Sequence, residues 1–203
     1  MNNIIVNNNI LSPSKVVCVG RNYVAHINEL NNEIPDQIVI FVKPNSAICD
    51  EVISGVNEAI HYEAEISFII EKEKIAAVGF GLDLTKRALQ AKLKAKGLPW
   101  ERAKAFDKSA VFSEFVTIAS EVESLSLQLF INDHIIQHAT FDLMIYKPCE
   151  VIKEVNSFMS FADGDILMTG TPKGVGELVA GDHFVGKIFA GENLLIEQSW
   201  VVR

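Results

Sequence analysis

Short apolar runs rich in β-branched and aromatic residues are the feature that most constrains the fold of this chain. Each run spans only a few residues before glycine, proline or polar residues stop it, which is typical of buried strands. The predicted strands cover residues 15–19, 39–42, 60–70, 78–84, 126–131, 166–169, 184–188 and 194–198. They outnumber the helices and do not alternate with them regularly. The sequence therefore predicts a β-rich mixed α+β fold rather than a doubly wound parallel sheet.

Turn and helix signals fall between these runs. The pair Asn132-Asp133 is typical of a hairpin turn, although it lacks the glycine that primed turns favour. Thr85 is a candidate N-cap for a helix through residues 87–96. A second helix is predicted over residues 148–161 because apolar side chains recur there at helical spacing. These side chains are Val151, Ile152, Val155, Phe158 and Met159.

The charge balance limits the partners of the protein. The formal net charge is -8, from 18 basic and 26 acidic residues, and such a surface repels the phosphate backbone of nucleic acids. Basic residues concentrate between Lys86 and Lys108. Lys92, Lys94 and Lys96 fall in the last turn of the first predicted helix, where the helix dipole favours cations. A solvated helix face is therefore the expected role of these lysines, and no nucleic-acid partner is expected.

Length and cysteine content give further expectations. The 203 residues carry no repeat or linker-like stretch, which predicts one domain over residues 1–203. The three cysteines are widely spaced and form no metal-binding or redox pair, as expected in a reducing compartment. No signal-peptide pattern or membrane-length apolar run is visible. We therefore expect a cytoplasmic protein without a membrane partner.

Three acidic residues occur in otherwise apolar strand segments. Glu63 and Glu65 are two apart, so they project to the same face of a strand, and Asp83 lies within a second apolar run. Like charges side by side disfavour folding unless something positive lies between them. An all-carboxylate ligand set suits a hard cation, with Mg²⁺ first, Mn²⁺ next and Ca²⁺ last. The alternative is that both glutamates face water from an edge strand.

His26 and Glu29 follow the first buried run and are three residues apart, so they share one face of a helical turn. A carboxylate on one imidazole nitrogen orients the ring and leaves the other nitrogen free to take a proton. The pair is therefore a candidate for activating water. The alternative is an ordinary ion pair on the surface of a helix.

Lys104 and a glycine-rich loop are the remaining candidates for chemistry. Lys104 lies between small and apolar residues and is suited to neutralising an oxyanion or binding a substrate carboxylate. Its alternative is a lysine whose stem is buried and whose amine is solvated. The loop at residues 170–176 lacks the nucleotide-binding pattern. Close approach of its backbone to a small anionic ligand is the more economical interpretation.

Taken together, these segments resemble the fumarylacetoacetate hydrolase family, in its short branch of acylpyruvate hydrolases and oxaloacetate decarboxylases. The resemblance covers most of the chain and rests on the order of the segments. They are VVCVGRNYVAHINEL, FVKPNSAI, HYEAEI, GLDLTKR, GLPWERAKAFD and DGDILMTGTPKGVG. The family implies a β-roll with few helices, assembled as a homodimer.

The resemblance also implies a role for each candidate residue. It makes Glu63, Glu65 and Asp83 the ligands of Mg²⁺ or Mn²⁺. It makes His26 and Glu29, on a lid segment, the dyad that activates water. The side chains that it places against a small anionic 2-oxo acid substrate are Lys104, Arg87, Gln90 and Thr171.

The implied activity is metal-dependent hydrolysis of a carbon–carbon bond in acylpyruvate-type 1,3-dicarbonyl 2-oxo acids. The same site would serve oxaloacetate decarboxylation or tautomerisation, and isomerisation or hydration of dienoic 2-oxo acids. Two other interpretations stay open. One is a β-rich binding protein with a degenerate site, and the other is Schiff-base catalysis by Lys104 without a metal.

Two departures from the family pattern bear on the substrate. Ala88 stands where relatives often have an acid, and residues 137–144 lack the usual glycine and small hydroxyl residues. Both departures put the identity of the substrate in question. The metal-ligand and dyad positions are intact.

Overall fold

The computed structural model describes residues 1–30, 33, 35–55, 58–118 and 122–203. Four helices are described: α1 (Val24–Glu29), α2 (Arg87–Ala95), α3 (Glu101–Lys104) and α4 (Pro148–Asn156). The strands are β1 (Ile4–Val6), β2 (Asn9–Leu11), β3 (Lys15–Gly20), β4 (Val39–Pro44), β5 (Ile48–Cys49), β6 (His61–Tyr62), β7 (Ala64–Glu71), β8 (Lys74–Asp83), β9 (Ala110–Phe112), β10 (Val116–Thr117), β11 (Leu125–Ile131), β12 (His134–Thr140), β13 (Asp165–Met168), β14 (Gly176–Glu177), β15 (His183–Ala190) and β16 (Asn193–Val201). Strands predominate, and the predicted β-rich mixed α+β fold is confirmed.

The larger sheet has eight strands and carries the candidate site. Its order is β4-β3-β13-β7-β8-β9-β5, with β10 paired to the outer part of β8. The pairs β13/β3 and β5/β9 are parallel, and the other pairs are antiparallel. The sheet is therefore mixed and not the doubly wound parallel sheet that the sequence analysis excluded.

A second, antiparallel sheet in the order β12-β11-β15-β16 covers one face of β7 and β8. Apolar side chains of both sheets meet between them. Phe80 of β8 lies 5.8 Å from Trp200 of β16 between ring centroids, and Tyr62 lies 5.2 Å from Phe184. This layer is the main hydrophobic core.

The opposite face of β7 and β8 is also buried, which explains why their sequences read as continuous apolar runs. Ile66, Phe68 and Ile70 of β7 face the second sheet, whereas Ile69 belongs to a smaller cluster on the other side. Since side chains alternate along a strand, Glu65 lies on the same side as Ile69. The candidate site is on this second side, at the end of β7 that is remote from the β7–β8 turn.

Several local predictions are confirmed or corrected. Asn132 and Asp133 form the predicted hairpin turn, with φ angles of 48° and 67°. The predicted strand 60–70 is divided, because His61–Tyr62 pairs with β14 whereas β7 begins only at Ala64. Glu63 lies at this break.

Both predicted helices form, with corrections at their ends. Lys86, not Thr85, is the N-cap residue of α2, because the buried Thr85 hydroxyl is used in the site described below. The second helix ends at Asn156 rather than at residue 161, and the Ser157 hydroxyl donates to the carbonyl of Glu154 at 2.7 Å. Phe158, which was predicted on the apolar face of the helix, is 63% exposed.

Among the residues that the structure describes, no helix has both the length and the apolar character needed to cross a membrane.

Candidate active site

The pairing of β7 with β8 brings the three predicted carboxylates together. Ala64 pairs with Leu82 and Glu65 with Gly81, so continuing the register sets Glu63 opposite Asp83. The Asp83 N–H donates to the Glu63 carbonyl at 2.8 Å, which confirms this pairing. Glu63, Glu65 and Asp83 thus point to one face of the sheet.

The cluster is buried and compact. Glu63, Glu65 and Asp83 are 4%, 1% and 1% exposed. One carboxylate oxygen of each lies within 4.8 Å of those of the other two. The alternative that the two glutamates face water from an edge strand is therefore wrong, since β7 lies inside the sheet between β13 and β8.

Basic side chains surround two of the three carboxylates. Lys104 Nζ lies 2.7 Å from Glu63 Oε2 and 2.7 Å from Asp83 Oδ2. Arg87 also pairs with Glu63. Lys43 Nζ, on β4, lies 2.8 Å from Asp83 Oδ1. Glu65 has no such ion pair within the described part of the chain, and its Oε2 accepts a hydrogen bond of 2.7 Å from the backbone N–H of Gly170.

These surroundings shift the pKa values of Glu63 and Glu65 in opposite directions. Burial alone would raise the pKa of Glu63, but the positive charges of Lys104 and Arg87 hold that pKa far below its usual value. Burial raises the pKa of Glu65 well above its usual value, and the negative charges of Asp83 and Glu63 raise it further. Burial alone would lower the pKa of Lys104, but the same two carboxylates raise it. Glu65 is therefore the electrostatically costly member of the cluster.

The donor set fits a divalent cation. All three donors are carboxylate oxygens, which suit Mg²⁺ or Mn²⁺. Their mutual separation allows shared coordination, and Glu65 forms no ion pair with a basic side chain among the described residues. A cation held by Glu63, Glu65 and Asp83 would give Glu65 a positively charged partner.

Lys104 is not the lysine with a solvated amine that the alternative interpretation expects. Its side chain is 3% exposed, so the amine is not solvated. Its ammonium group is within 2.7 Å of three acceptors: Glu63 Oε2, Asp83 Oδ2 and Thr85 Oγ1. The three N–H groups of a lysine are thereby used within the protein. The short helix α3 carries Lys104, and its ammonium group contacts Glu63 and Asp83 of the carboxylate cluster.

The predicted dyad is formed on α1. His26 Nδ1 and Glu29 Oε2 are 3.2 Å apart, and the His26 side chain is 8% exposed. Glu29 Oε1 accepts a hydrogen bond of 2.9 Å from the backbone N–H of Gly174. The pair is therefore not an isolated surface ion pair, because Glu29 links α1 to the glycine-rich loop. His26 lines the cleft that also contains Glu63 and Glu65.

The glycine-rich loop binds protein carboxylates. Its backbone was predicted to approach a small anionic ligand closely. Gly170 instead donates to Glu65 and Gly174 to Glu29. Both glycines have positive φ angles, 93° and 98°, a conformation that other residues rarely adopt. A Cβ atom at Gly174 would lie 2.4 Å from the Ile136 carbonyl oxygen. The loop thus holds one carboxylate of the cluster and the glutamate of the His26–Glu29 pair.

The three predicted substrate-binding residues lie along the same cleft. Arg87 and Gln90 are on α2, and Arg87 Nη1 donates to Gln90 Oε1 at 2.8 Å. Thr171 is buried and follows the loop glycine that holds Glu65. All the sequence-predicted site residues except Glu29 therefore line one cleft, and Glu29 adjoins it through its contact with His26.

Two positioning residues were missed by the sequence analysis. Lys43 is fully buried, and its Nζ also donates to the carbonyl oxygens of Ser109 at 2.8 Å and Leu84 at 3.3 Å. The signal that could have indicated it is a lysine directly after the apolar run 39–42, within the strand that the structure extends to Pro44. Gln137, 1% exposed, accepts from the Ala64 N–H at 3.0 Å.

Gln137 also connects the two sides of the site. Its Nε2 donates to Thr171 Oγ1 at 2.9 Å and to the Pro172 carbonyl at 3.0 Å. The residue belongs to the segment 137–144 that departs from the family pattern. No spacing rule reveals it, because its partners are 34 and 73 positions away in the chain.

A β-rich two-sheet fold with a buried cluster of three carboxylates, and a histidine–glutamate pair whose histidine lines the same cleft, defines a candidate metal site. Residues 15–196 match the family model of the fumarylacetoacetate (FAA) hydrolase C-terminal domain. The chain therefore belongs to the fumarylacetoacetate hydrolase family, as its sequence motifs predicted.

Relatives and solved structures agree with this assignment. The oxaloacetate tautomerase YcgM of Escherichia coli (strain K12) is 38% identical over 188 residues, covering 84% of this chain and 86% of the relative. A crystal structure of a protein from Oleispira antarctica is 36% identical, with a TM-score of 0.96 over 100% of both chains. The fumarylpyruvate hydrolase from Pseudomonas aeruginosa, in complex with Mn²⁺ and pyruvate, is 27% identical with a TM-score of 0.89, covering 99% of this chain and 95% of that chain.

Proposed function

We propose that the protein is a divalent-metal-dependent enzyme that acts on small 2-oxo acids, with keto–enol tautomerisation of oxaloacetate as its reaction. The convergence of the buried Glu63, Glu65 and Asp83 within 4.8 Å carries the proposal. The tautomerase name of the Escherichia coli relative supports oxaloacetate as the substrate.

Glu63, Glu65 and Asp83 would hold the cation, for which Mg²⁺ and Mn²⁺ are the candidates. The Mn²⁺ in the Pseudomonas aeruginosa hydrolase supports a divalent metal in this family. When bound, the cation supplies Lewis-acid polarisation of the substrate carbonyl. Gly170 keeps Glu65 in place through its N–H, and Lys43 does the same for Asp83 through its charge.

His26 would move the proton. Glu29 occupies Nδ1, so Nε2 is free to remove a proton from C3 of the keto form. The C2–C3 double bond then forms as the C2–O double bond becomes single, and the proton is returned to the C2 oxygen. Positively charged Lys104 and Arg87 would offset the charge that develops on that oxygen. The reverse sequence regenerates the keto form.

Carbon–carbon hydrolysis of acylpyruvates is the second candidate, and the same dyad supports it. His26 would take a proton from water, and the hydroxide would add to the distal carbonyl. Cleavage would then release pyruvate and a short carboxylic acid, with the leaving carbanion reprotonated at carbon. The hydrolase name of the Pseudomonas aeruginosa structure supports this reaction.

The proposal is tested by following the enol absorbance of oxaloacetate with Mg²⁺, with Mn²⁺ and with EDTA. Wild-type protein should accelerate the conversion only with metal. Glu65→Gln should reduce it to near the uncatalysed rate. The matched control is Glu71→Gln, at the exposed far end of the same strand, and it should leave the rate unchanged. Absence of any metal-dependent turnover of oxaloacetate or acetylpyruvate by wild type would contradict the proposal.

His26→Ala distinguishes proton transfer from simple carbonyl polarisation. Removing a general base typically lowers a rate by about 10²–10⁴, so tautomerisation and acetylpyruvate hydrolysis should fall by that order. Oxaloacetate decarboxylation needs no base-activated water and should be retained. The three reactions are followed in parallel with the same metal-loaded samples. Equal loss of all three would show that His26 has a different role.

A homodimer in the cytoplasm completes the proposal. The family resemblance supports the dimer, and the cysteine content supports a reducing compartment.

A further inference from the structure

Helix α2 presents a row of basic and polar side chains to the cleft. Arg87, Gln90 and Lys94 are three and four residues apart, the spacing of one helix face, and all three line the cleft. Lys92 and Lys96 on the same helix are exposed. The solvated face predicted for the three lysines of this helix thus describes Lys92 and Lys96, whereas Lys94 is half-buried and faces the site.

Arg21 lies on the other side of this end of the cleft. It follows β3 directly and has a φ angle of 57°, a left-handed conformation that is unusual for arginine. Its Nε atom is buried and has no hydrogen-bond partner in the part of the chain that the structure describes. Arg21 and Lys94 line the same cleft as the carboxylate cluster.

Positive charge accumulates at this end of the cleft. Burial lowers the pKa of Lys94, and the positive charges of Arg21 and Arg87 lower it further. Arg87 already pairs with Glu63 at the inner end of the row. An anion bound between Arg21 and Lys94 would relieve the repulsion between them and supply an acceptor for the buried Nε of Arg21.

We propose that Lys94 and Arg21 form an anion subsite that binds the second carboxylate of a 2-oxo dicarboxylate. Seven residues of helix separate Lys94 from Arg87 by about 10 Å along the axis, so the subsite lies outward from the carboxylate cluster. A dicarboxylate would reach it with its distal carboxylate, while its 2-oxo end occupies the inner cleft. A monocarboxylate would leave it empty. This inference rests on the proposed function and names its substrate class.

Titration calorimetry with Mg²⁺ tests the subsite through binding alone. The probes are 3,3-difluoro-oxaloacetate, which has two carboxylates and cannot enolise, and pyruvate, which has one carboxylate. Loss of a charged hydrogen bond typically weakens binding by about tenfold or more. Lys94→Met should therefore weaken the difluoro-oxaloacetate complex by about that factor and leave pyruvate affinity within about twofold.

Two further variants make the result specific. Lys94→Arg keeps the positive charge and should retain most of the dicarboxylate affinity. Lys92→Met removes an exposed charge from the same helix, two residues away, and should change neither affinity. Methionine and lysine have similar helix propensities, so all variants should keep α2 folded, which circular dichroism verifies.

The outcomes separate the subsite from the proposed function. If Lys94→Met weakens both ligands equally or neither, the subsite is overturned while metal-dependent pyruvate binding leaves the proposed function intact. If wild-type protein binds neither ligand with Mg²⁺ or Mn²⁺, the proposed function itself fails and the subsite fails with it.

Discussion

At the scale of single residues, Glu65 is a buried carboxylate whose negative charge is unfavourable in the fold. It is 1% exposed, and burial together with the charges of Asp83 and Glu63 raises its pKa. Its one strong partner in the described structure is the N–H of Gly170, a neutral donor. A residue kept at such a cost is typical of a functional site rather than of a packing role.

Glu65→Gln should therefore stabilise the metal-free protein and abolish its response to metal. The amide oxygen can still accept from Gly170, while the repulsion with Asp83 and Glu63 is removed. A gain of about 1 kcal/mol would raise the melting temperature by about 2–4 °C in a chain of this length. Thermal melts with EDTA and with saturating Mg²⁺ or Mn²⁺ measure both effects.

The expected contrast lies in the metal response. Wild type held at 100 times the dissociation constant of the metal gains about 2.7 kcal/mol, and Glu65→Gln gains none. Glu71→Gln should behave as wild type in both melts, because Glu71 is exposed. A metal-induced shift that persists in Glu65→Gln would exclude Glu65 from the ligand set.

At the scale of elements, the loop of residues 170–176 determines how α1 meets the sheets. Gly170 holds Glu65 on β7, and Gly174 holds Glu29 on α1. Both contacts are made by backbone N–H groups, so they depend on loop conformation and not on side-chain identity. The loop therefore couples the position of the dyad to that of the carboxylate cluster.

Gly174→Ala should damage both stability and catalysis. Its φ of 98° is strained for alanine, and the new Cβ would meet the Ile136 carbonyl oxygen at 2.4 Å. Together these effects should cost more than the roughly 1–3 kcal/mol of a strained φ alone. Urea unfolding measures the loss, and the oxaloacetate assay measures the displaced dyad.

Gly181→Ala is the matched control. Gly181 has a similar φ of 92°, but nothing lies within 4 Å of a Cβ placed there. It should show the conformational cost alone and keep full activity. If Gly174→Ala and Gly181→Ala lose the same stability and the same activity, the contact between the loop and α1 is not needed for activity.

At the scale of the whole molecule, Asp165 connects the start of β13 to the segment that begins β3. This fully buried aspartate begins β13 and accepts hydrogen bonds from Ser14 N at 2.9 Å, Ser14 Oγ at 2.7 Å and Ala162 N at 2.8 Å. It also pairs with Lys15. The contacts with Ser14 and Lys15 join segments about 150 positions apart, where β3 and β13 form their parallel pair.

The pH dependence of stability follows from this carboxylate. Burial alone would raise the pKa of Asp165, but the hydrogen bonds from Lys15 and Ser14 hold it below the usual value. A depressed pKa in the folded state contributes stability above the unfolded pKa, and this contribution is lost as the pH falls through the folded value. Asp165 should therefore stabilise the fold at neutral pH and progressively less in acid.

Asp165→Asn should lower the free energy of unfolding by about 1–3 kcal/mol near pH 7. The amide cannot accept at both ends, so one of the buried backbone donors loses its partner. The gap between variant and wild type should narrow as the pH is lowered below about 4. Urea unfolding across this range measures it, with the exposed Asp107→Asn as control. A gap independent of pH would show that the charge of Asp165 contributes nothing.

The sequence indicated most of the strands and nearly all of the site, because both are encoded locally. The spacing of Glu63 and Glu65 sets them on one strand face, and that of His26 and Glu29 sets them on one helix face. The hairpin of β1 and β2, which turns at Asn7 and Asn8, was missed because each of its strands is only three residues long. Lys94 was predicted to face solvent because the helix dipole already explains a lysine in the last helical turn.

By itself, then, the sequence determined the β-rich fold class, the family and which acidic and histidine side chains form the candidate site. Tertiary structure alone decided which groups contact and position these side chains. Lys43, Lys104 and Gln137 reach the site from elements distant in the chain, and Gly170 and Gly174 act through backbone N–H groups that no residue type announces. The physical reason is that periodicity fixes the face a side chain points to, whereas its partner across the fold depends on how sheets and loops pack.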